Sequence, residues 1–374
     1  MKFGITMVLS VAAPYELNEH RTYMEALEQV RLADELGFAQ LWAVEHHFLE
    51  GYSHLSSPEI FLTAAAMQTK QIQLCHGIVV CVPQFVHPVK VAERTATLDI
   101  VSGGRVQLGT GRSSTWTELA GFGGNPDDTK KTWDEFVRAI PKMWMQERYS
   151  HQGRAFSMPE RAILPKPLQK PHPPLWVAVT SPGTEIDAAD RGLGSMGLSF
   201  GGYQQQEKVI NEYRRRIRLC EPVGAFVNEQ VNTTNFLFCH ESLDYAAEAG
   251  RRLAEGYRYS AAQNVFIREV YPSRGYPSHG LMPALRKELA GPGDKSGLPE
   301  GIAIGDPQRI IRVLKSWEAV GVDCVNMILS AADAVTHEEI MTSLRLFARE
   351  VMPVFAAAPS VWSNGQSAPM RESA

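Results

Sequence analysis

Four times along the chain an amphipathic helix runs out at a glycine and a short apolar stretch follows at once. ALEQVRLADELG precedes FAQLWAV, KVAERTATLDIVSGG precedes RVQLGTG, TEIDAADRGLG precedes SMGLSF, and RIIRVLKSWEAVG precedes VDCVNMIL. Glycine just past the last helical turn takes the left-handed conformation that lets the chain leave the helix. In the first of these helices Tyr23, Ala26, Leu27, Val30 and Ala33 share one face. A unit of helix, glycine and strand that recurs from end to end means parallel strands joined by crossover helices.

The strands expected on this basis are 2–8, 40–44, 72–80, 105–109, 174–179, 194–199, 231–238 and 322–329. Eight strands alternating with helices over about 350 residues predict an α/β protein, a (β/α)8 TIM barrel with insertions. The competing solution, a doubly wound sheet, more often carries a glycine-rich dinucleotide loop after its first strand. Here that loop reads LSVAAPYEL, with no GxGxxG. Two segments break the alternation. Residues 148–172 read as a hairpin excursion ending in a Pro-rich connector, and residues 257–300 as a long aromatic and Gly/Pro-rich insertion. Loops of that length are usually functional or disordered, and the tyrosines with Phe266 argue for a packed lid. The expected organisation is one barrel domain over 1–355, with the lid-like insertion at about 257–300 and a flexible Ala/Ser/Pro-rich tail over 356–374.

Composition narrows the function classes. A net charge of -4 and the lack of a Lys/Arg block argue against nucleic acid as a partner. The basic run RRRIR at 214–218 has helical spacing and reads as a solvated helix face. The five cysteines are scattered without a CxxC pair, as small core residues in a reducing compartment would be. The N-terminal apolar run is short and leads into PYELNEHR rather than a cleavage site, so it reads as a first strand. No apolar run is long enough to span a bilayer. A cytoplasmic protein is expected.

In a (β/α)8 barrel the active site is built from the loops at the C-terminal ends of the strands. The second strand ends in AVEHHF, residues 43–48. Glu45, His46 and His47 side by side admit three readings: a metal site, a catalytic rim, or a polar tie between strands. Adjacent strand residues point to opposite sides, HExxH spacing is absent and the first strand has no HxH pair, so no metal is expected. His87 and Pro88 open a helix, with proline at its first position. LGTGR then carries the fourth strand into a loop holding Arg112, where glycine permits close backbone approach and arginine is either a bidentate phosphate ligand or structural. In WVAVTSPGTEIDAA, residues 176–189, Thr180, Ser181, Gly183 and Thr184 sit where a strand turns into a helix. That start is either an anion site or an ordinary N-cap. It stands on the strand next to that of Arg112, so the two are placed to converge on one phosphate.

Together these residues resemble the bacterial luciferase-like flavin-dependent monooxygenase family over almost the whole chain. The likeness rests on EHHF at 45–48, on HPVKVAERTATLDIVSGGRVQLGTGR at 87–112, and on GDPQRIIRVLKSWEAVGVDCVN and LRLFAREVMPVF near the C-terminus. The resemblance implies a barrel that takes up FMN as FMNH2, made by a separate flavin reductase. Dioxygen then adds at the flavin C4a carbon, and the peroxide oxidises a small apolar or aromatic substrate. It implies that His46 is the catalytic histidine, with Glu45 supporting it. A non-proline cis peptide under the flavin is expected at Val79–Val80. Thr110, Gly111, Arg112, Thr180, Ser181, Gly183 and Thr184 fall at cofactor-binding positions, and Phe48 and Phe200 at the substrate pocket. Gly111 stands where the luciferase catalytic subunit has a reactive cysteine, so the likeness does not extend to light emission from a long-chain aldehyde. A homodimer through helices near the second and third strands is implied. The alternatives are a deazaflavin-dependent oxidoreductase of the same superfamily, a non-catalytic flavin-binding partner subunit, and, outside the family, a zinc hydrolase barrel.

Overall fold

The eight expected strands all form, each with limits within two residues of the expected ones. The computed structural model describes residues 1–181, 183–198, 202–274, 276 and 297–356. Among these, in chain order, the strands are β1 (Lys2–Met7), β2 (Gln40–Ala43), β3 (Gln73–Val80), β4 (Val106–Gly111), β5 (Tyr149–Gln152), β6 (Ser157–Arg161), β7 (Leu175–Val179), β8 (Gly194–Leu198), β9 (Val231–Cys239), β10 (Ala303–Gly305) and β11 (Cys324–Ile328). The neighbour order β1-β2-β3-β4-β7-β8-β9-β11 is parallel throughout, and β11 pairs with β1, so the sheet closes into a (β/α)8 barrel. Gly37, Gly103, Gly192 and Gly321 directly follow the caps of their helices at φ 85, 71, 66 and 97°. The recurring glycine is thus the physical device that turns each helix back into the sheet.

The hairpin expected in 148–172 is β5 with β6, antiparallel and outside the barrel. The short strand β10 was not anticipated. It pairs Ala303–Gly305 with Leu237–Cys239 at the top of β9, and three residues are too few to show a period in sequence. From the 257–300 segment, Phe266 bridges to Thr115, the Trp116 amide donates to the Val265 carbonyl at 2.6 Å, and the Ile267 amide donates to the Ser114 carbonyl at 3.2 Å. Beyond Ala356 the expected tail lies outside the described residues. No helix among the described residues is long and apolar enough to cross a membrane.

The outward side chains of the strands, among them Ile5, Leu41, Leu74, Leu108 and Val325, are buried against the helices and form the main core with Val30, Phe61, Val91 and Phe347. Inside the barrel Trp42 and Trp176 meet edge to face at 5.5 Å beside Cys75 and Met196. Their indole N–H groups donate to Gln40 at 3.0 Å and to Gln107 at 2.7 Å. These indoles plug the lower barrel, so the open space lies above them, at the C-terminal ends of the strands. Register into that space is fixed from below. The buried Asp34 carboxylate accepts the amides of Lys70, Gln71 and Ile72 at 2.8, 2.9 and 2.7 Å, setting where β3 begins and hence where it ends.

Candidate active site

The cavity encloses about 180 Å³ and is bounded by the ends of β1, β2, β3, β4, β7, β8, β9 and β11. His46 lines it just past β2. Its Nδ1 stands 3.1 Å from Glu118 Oε1, and the same oxygen accepts the His47 amide at 3.0 Å. The other carboxylate oxygen accepts Ser113 Oγ at 3.1 Å and the Thr115 hydroxyl. Burial pushes the Glu118 carboxyl up, but the charge and hydrogen bond of His46, the Thr115 hydroxyl and the His47 amide outweigh it, and the net direction is down. An ionised carboxylate only accepts, so His46 Nδ1 carries its hydrogen and Nε2 is left for a reactant in the cavity. The His46 ring meets Tyr52 edge to face at 5.1 Å, and the Tyr52 hydroxyl lies 3.0 Å from that of Tyr257, also on the cavity. Burial is the main cause that raises the Tyr52 phenol.

Glu45 does not touch His46. Its carboxylate accepts the Val80 amide at 2.9 Å and lies 3.3 Å from His47 Nε2, so it ties the end of β2 to the end of β3. The expectation that Glu45 supports His46 is corrected: the supporting carboxylate is Glu118, 72 residues along the chain. Its only local sequence signal is the Thr115-x-x-Glu118 spacing of a helix N-cap, and Thr115 Oγ1 does accept the Glu118 amide, at 3.3 Å.

The non-proline cis peptide is Gly77–Ile78 and not Val79–Val80. The β3–β4 register shifts between His76 and Val79, and Gly77 leaves room there for Trp42, whose Cβ would lie 3.2 Å from a Cβ at 77. Ile78 therefore faces the cavity with Val80, while Val79 turns into the main core. Gly111 leaves room for this arrangement, since a Cβ there would lie 2.5 Å from Ile78 Cδ1 and the Ile78 side chain would have to shift. Thr110 does not line the cavity. Its hydroxyl donates to the Trp176 carbonyl at 2.8 Å and accepts from the Trp133 indole at 3.0 Å, inside the wall. Phe48, 57% exposed, lies outside the cavity too, against Phe122 at 5.1 Å. Its expected place in the pocket fails because the loop turns it outward at φ 62°. Phe200 lies outside the described residues.

Arg112 lines the cavity at the end of β4. Its Nη1 is buried and has no hydrogen-bond partner, although its Cζ sits 4.9 Å from the Tyr276 ring centroid. Tyr276 fixes the backbone beneath by donating to the Ser113 carbonyl at 2.7 Å. Thr180, Ser181 and Thr184 line the same cavity at the end of the adjacent β7. Gly183, at φ 86°, caps the short helix Thr184–Asp190 and does not itself line the cavity. Asp187 on that helix is engaged by Lys130 at 2.7 Å and Arg191 at 3.4 Å.

The family model for luciferase-like monooxygenases matches residues 1–324. The chain belongs to the luciferase-like monooxygenase family. A relative in Acinetobacter baylyi, the oxygenase component of flavin-dependent trigonelline monooxygenase, is 27% identical over 90% of this chain and 91% of its own. Limonene 1,2-monooxygenase of Rhodococcus erythropolis is 24% identical over 88% of this chain and 80% of its own. The crystal structure of monooxygenase RslO1 from Streptomyces bottropensis superposes with a TM-score of 0.78 at 28% identity, covering 95% of this chain and 100% of that one. The chain is accordingly an oxidoreductase of this monooxygenase family. The cavity just described lies where a (β/α)8 barrel carries its chemistry.

Proposed function

We propose that the protein is the oxygenase component of a two-component, FMNH2-dependent monooxygenase acting on a small apolar or aromatic molecule. The observation that carries this reading is the buried, unpartnered Nη1 of Arg112 on a cavity shared with the hydroxyl side chains of Thr180, Ser181 and Thr184. A buried guanidinium N–H without a partner is costly, and a phosphate oxygen would satisfy it. FMN fits this set of donors. Arg112 and the three hydroxyl residues would hold the phosphate, and Gly111, Ile78 and Val80 would support the ring. When bound, the reduced flavin supplies the electrons that activate dioxygen. His46 would hold or deliver a proton at Nε2, with Glu118 fixing its tautomer. Tyr276 from the 257–300 segment, whose first residues to Ala262 continue the helix Leu243–Ala262, would help exclude water together with Tyr257 on that helix. Deazaflavin use is the competing reading of the cofactor.

In this reading the reduced cofactor comes from a separate flavin reductase, in line with a relative named as an oxygenase component. A cytoplasmic homodimer completes the proposal. Ile60, 69% exposed, and Met67, 72% exposed, stand at the outer side of the helix Pro58–Ala66 beside β2 and β3, an apolar face suited to a second copy. The test is titration of the purified protein with FMN, oxidised and then photoreduced under anaerobic conditions. Binding of the reduced form that is lost in Arg112→Ala is the expected result. Absence of binding in both redox states overturns it, and the absorbance of any cofactor that copurifies separates FMN from a deazaflavin.

A further inference from the structure

The loop after β4 carries a strained residue where several contacts of the site meet. Ser113 has φ 60°, a left-handed conformation that a residue with a Cβ keeps only when its surroundings enforce it. Two contacts do so from either side. The Tyr276 hydroxyl donates to the Ser113 carbonyl at 2.7 Å, and the Ser113 hydroxyl donates to Glu118 Oε2 at 3.1 Å. Ser113 Oγ also accepts the amide of Thr115 at 3.3 Å, the residue that caps the helix Trp116–Gly121. Glu118 is 1% exposed and holds His46 Nδ1 through its other oxygen. The contacts therefore run unbroken from Tyr276 through Ser113 and Glu118 to His46, and all four residues line one cavity.

Tyr276 is far from this loop in sequence, and its segment is pinned to the same region at separate points. Phe266 bridges to Thr115, and the Trp116 and Ile267 amides pair with the Val265 and Ser114 carbonyls. The Trp116 and Tyr271 rings stack at 5.2 Å. Ser273 Oγ and the Arg274 amide both donate to Asp127 Oδ1, at 2.7 and 3.0 Å. The Tyr276 hydroxyl lies 3.1 Å from Thr129 Oγ1 at the start of the helix Thr129–Met145. Its ring packs on the Arg112 guanidinium at 4.9 Å. One side chain thus touches the anion clamp and begins the run of bonds that ends at the histidine. The last link is tautomeric. A neutral imidazole keeps its hydrogen on Nδ1 while an acceptor faces that atom. Were Ser113 to relax, Glu118 would lose a donor that orients its carboxylate, and Nε2 would no longer be reserved for a reactant.

We propose, building on His46 as the acid–base group of the function proposed above, that Tyr276 is a positioning residue. Through the Ser113 carbonyl it holds Ser113 and Glu118 in the geometry that keeps the His46 hydrogen on Nδ1.

The test is nitrogen NMR of the full-length protein with isotopically labelled histidine, without cofactor, in alkaline buffer where imidazoles are neutral. The His46 signals are identified by their loss in His46→Gln. In the wild type Nδ1 should carry the hydrogen. Tyr276→Phe keeps the ring over Arg112 and removes the hydroxyl. The ratio of the Nδ1-H to the Nε2-H form is expected to fall about 5-fold, the worth of one net hydrogen bond. Ser113→Ala, which removes the donor to Glu118, should lower the ratio by a similar factor. The double variant should lower it little further, because both changes break one link. An unchanged ratio in Tyr276→Phe overturns the proposal even if the thermal midpoint falls, since packing alone would move only the midpoint. Full additivity in the double variant overturns it too, because the phenol would then reach His46 by another route. A wild-type ring that carries its hydrogen on Nε2 overturns it outright. Oxidised FMN is titrated in parallel. If the wild type binds none, the flavin reading fails while the tautomer ratio still decides the role of Tyr276.

Discussion

Replacing Glu118 by glutamine removes one charge and leaves the shape almost unchanged. Two carboxylate oxygens now hold four donors: His46 Nδ1, the His47 amide, Ser113 Oγ and the Thr115 hydroxyl. Glutamine can turn its carbonyl oxygen to the two nitrogens and its NH2 to the two hydroxyls, which rotate to accept it. All four contacts survive, but as neutral rather than charge-assisted bonds. Hydrogen bonds to charged groups are worth about 1.5–3 kcal/mol against about 1 for neutral ones, and relief of the buried charge offsets part of the loss. We expect a net destabilisation of about 1–2 kcal/mol at neutral pH by urea unfolding. The pH dependence has a definite sign. The Glu118 carboxyl is held below its usual range, because His46, Thr115 and the His47 amide outweigh burial. Its contribution is therefore complete above the unfolded-state carboxyl value of about 4.3 and is lost as pH falls through the lower folded value. The gap between wild type and Glu118→Gln should be full at about pH 7 and narrow in acid. The second readout is reoxidation of bound reduced FMN by dioxygen in stopped flow. We expect a change in rate of about tenfold or more, with reduced-FMN affinity within about twofold, as for a group that acts through the acid–base histidine. An equal stability gap at both pH values refutes the electrostatic account. An unchanged reoxidation rate, with the gap present, makes Glu118 only a tie between loops.

Further outcomes follow from the same geometry. Gly111→Ala sets a Cβ 2.5 Å from Ile78 Cδ1 and 2.8 Å from its Cγ1. It should weaken FMN binding at least about tenfold, and the added change Ile78→Val, which removes the Cδ1 atom, should restore part of it in the same titration. Thr115→Val removes both the cap of the helix Trp116–Gly121 and a donor to Glu118, and should cost about 1–2 kcal/mol in urea unfolding. Gly4→Ala would drive a Cβ to 2.7 Å from the Gln40 carbonyl and 2.1 Å from Asn326 Oδ1. Backbone cannot yield as a side chain can, so a loss of about 3 kcal/mol or more is expected, read as a fall in thermal midpoint.

The barrel was legible because its signal is periodic and local. Helix period, terminal glycine and apolar run recur within windows of about 30 residues, and each unit repeats the evidence of the last. Strand-end residues were legible for the same reason. His46, Arg112, Ser181 and Thr184 stand at the C-terminal ends of barrel strands, and all four line one cavity. Side-chain direction was not legible to the same depth. A one-residue error flips a side chain to the other face. The register shift between His76 and Val79 is such a step, and it carries Val79 into the core and Ile78 onto the cavity.

Partner choice was the least legible, because it depends on where loops meet in space. Glu45 is next to His46 in sequence, yet its carboxylate faces the Val80 amide. The pairing of His46 with Glu118 needs the loop after β2 to meet the loop after β4 across β3, and the sheet order brings them together. A composition-level view misses the buried atoms of Thr6, Asn232 and Asn326 for the same reason. In sequence they are ordinary polar residues on strands with no unusual neighbours. Only closure of the barrel turns them inward, away from water and from one another's reach. What sequence supplies is therefore the set of groups available at each strand end. Closure decides which are spent on holding loops, as Glu45 and Thr110 are. It also decides which are left with an unmet hydrogen-bonding demand, as Arg112 is beside the cavity.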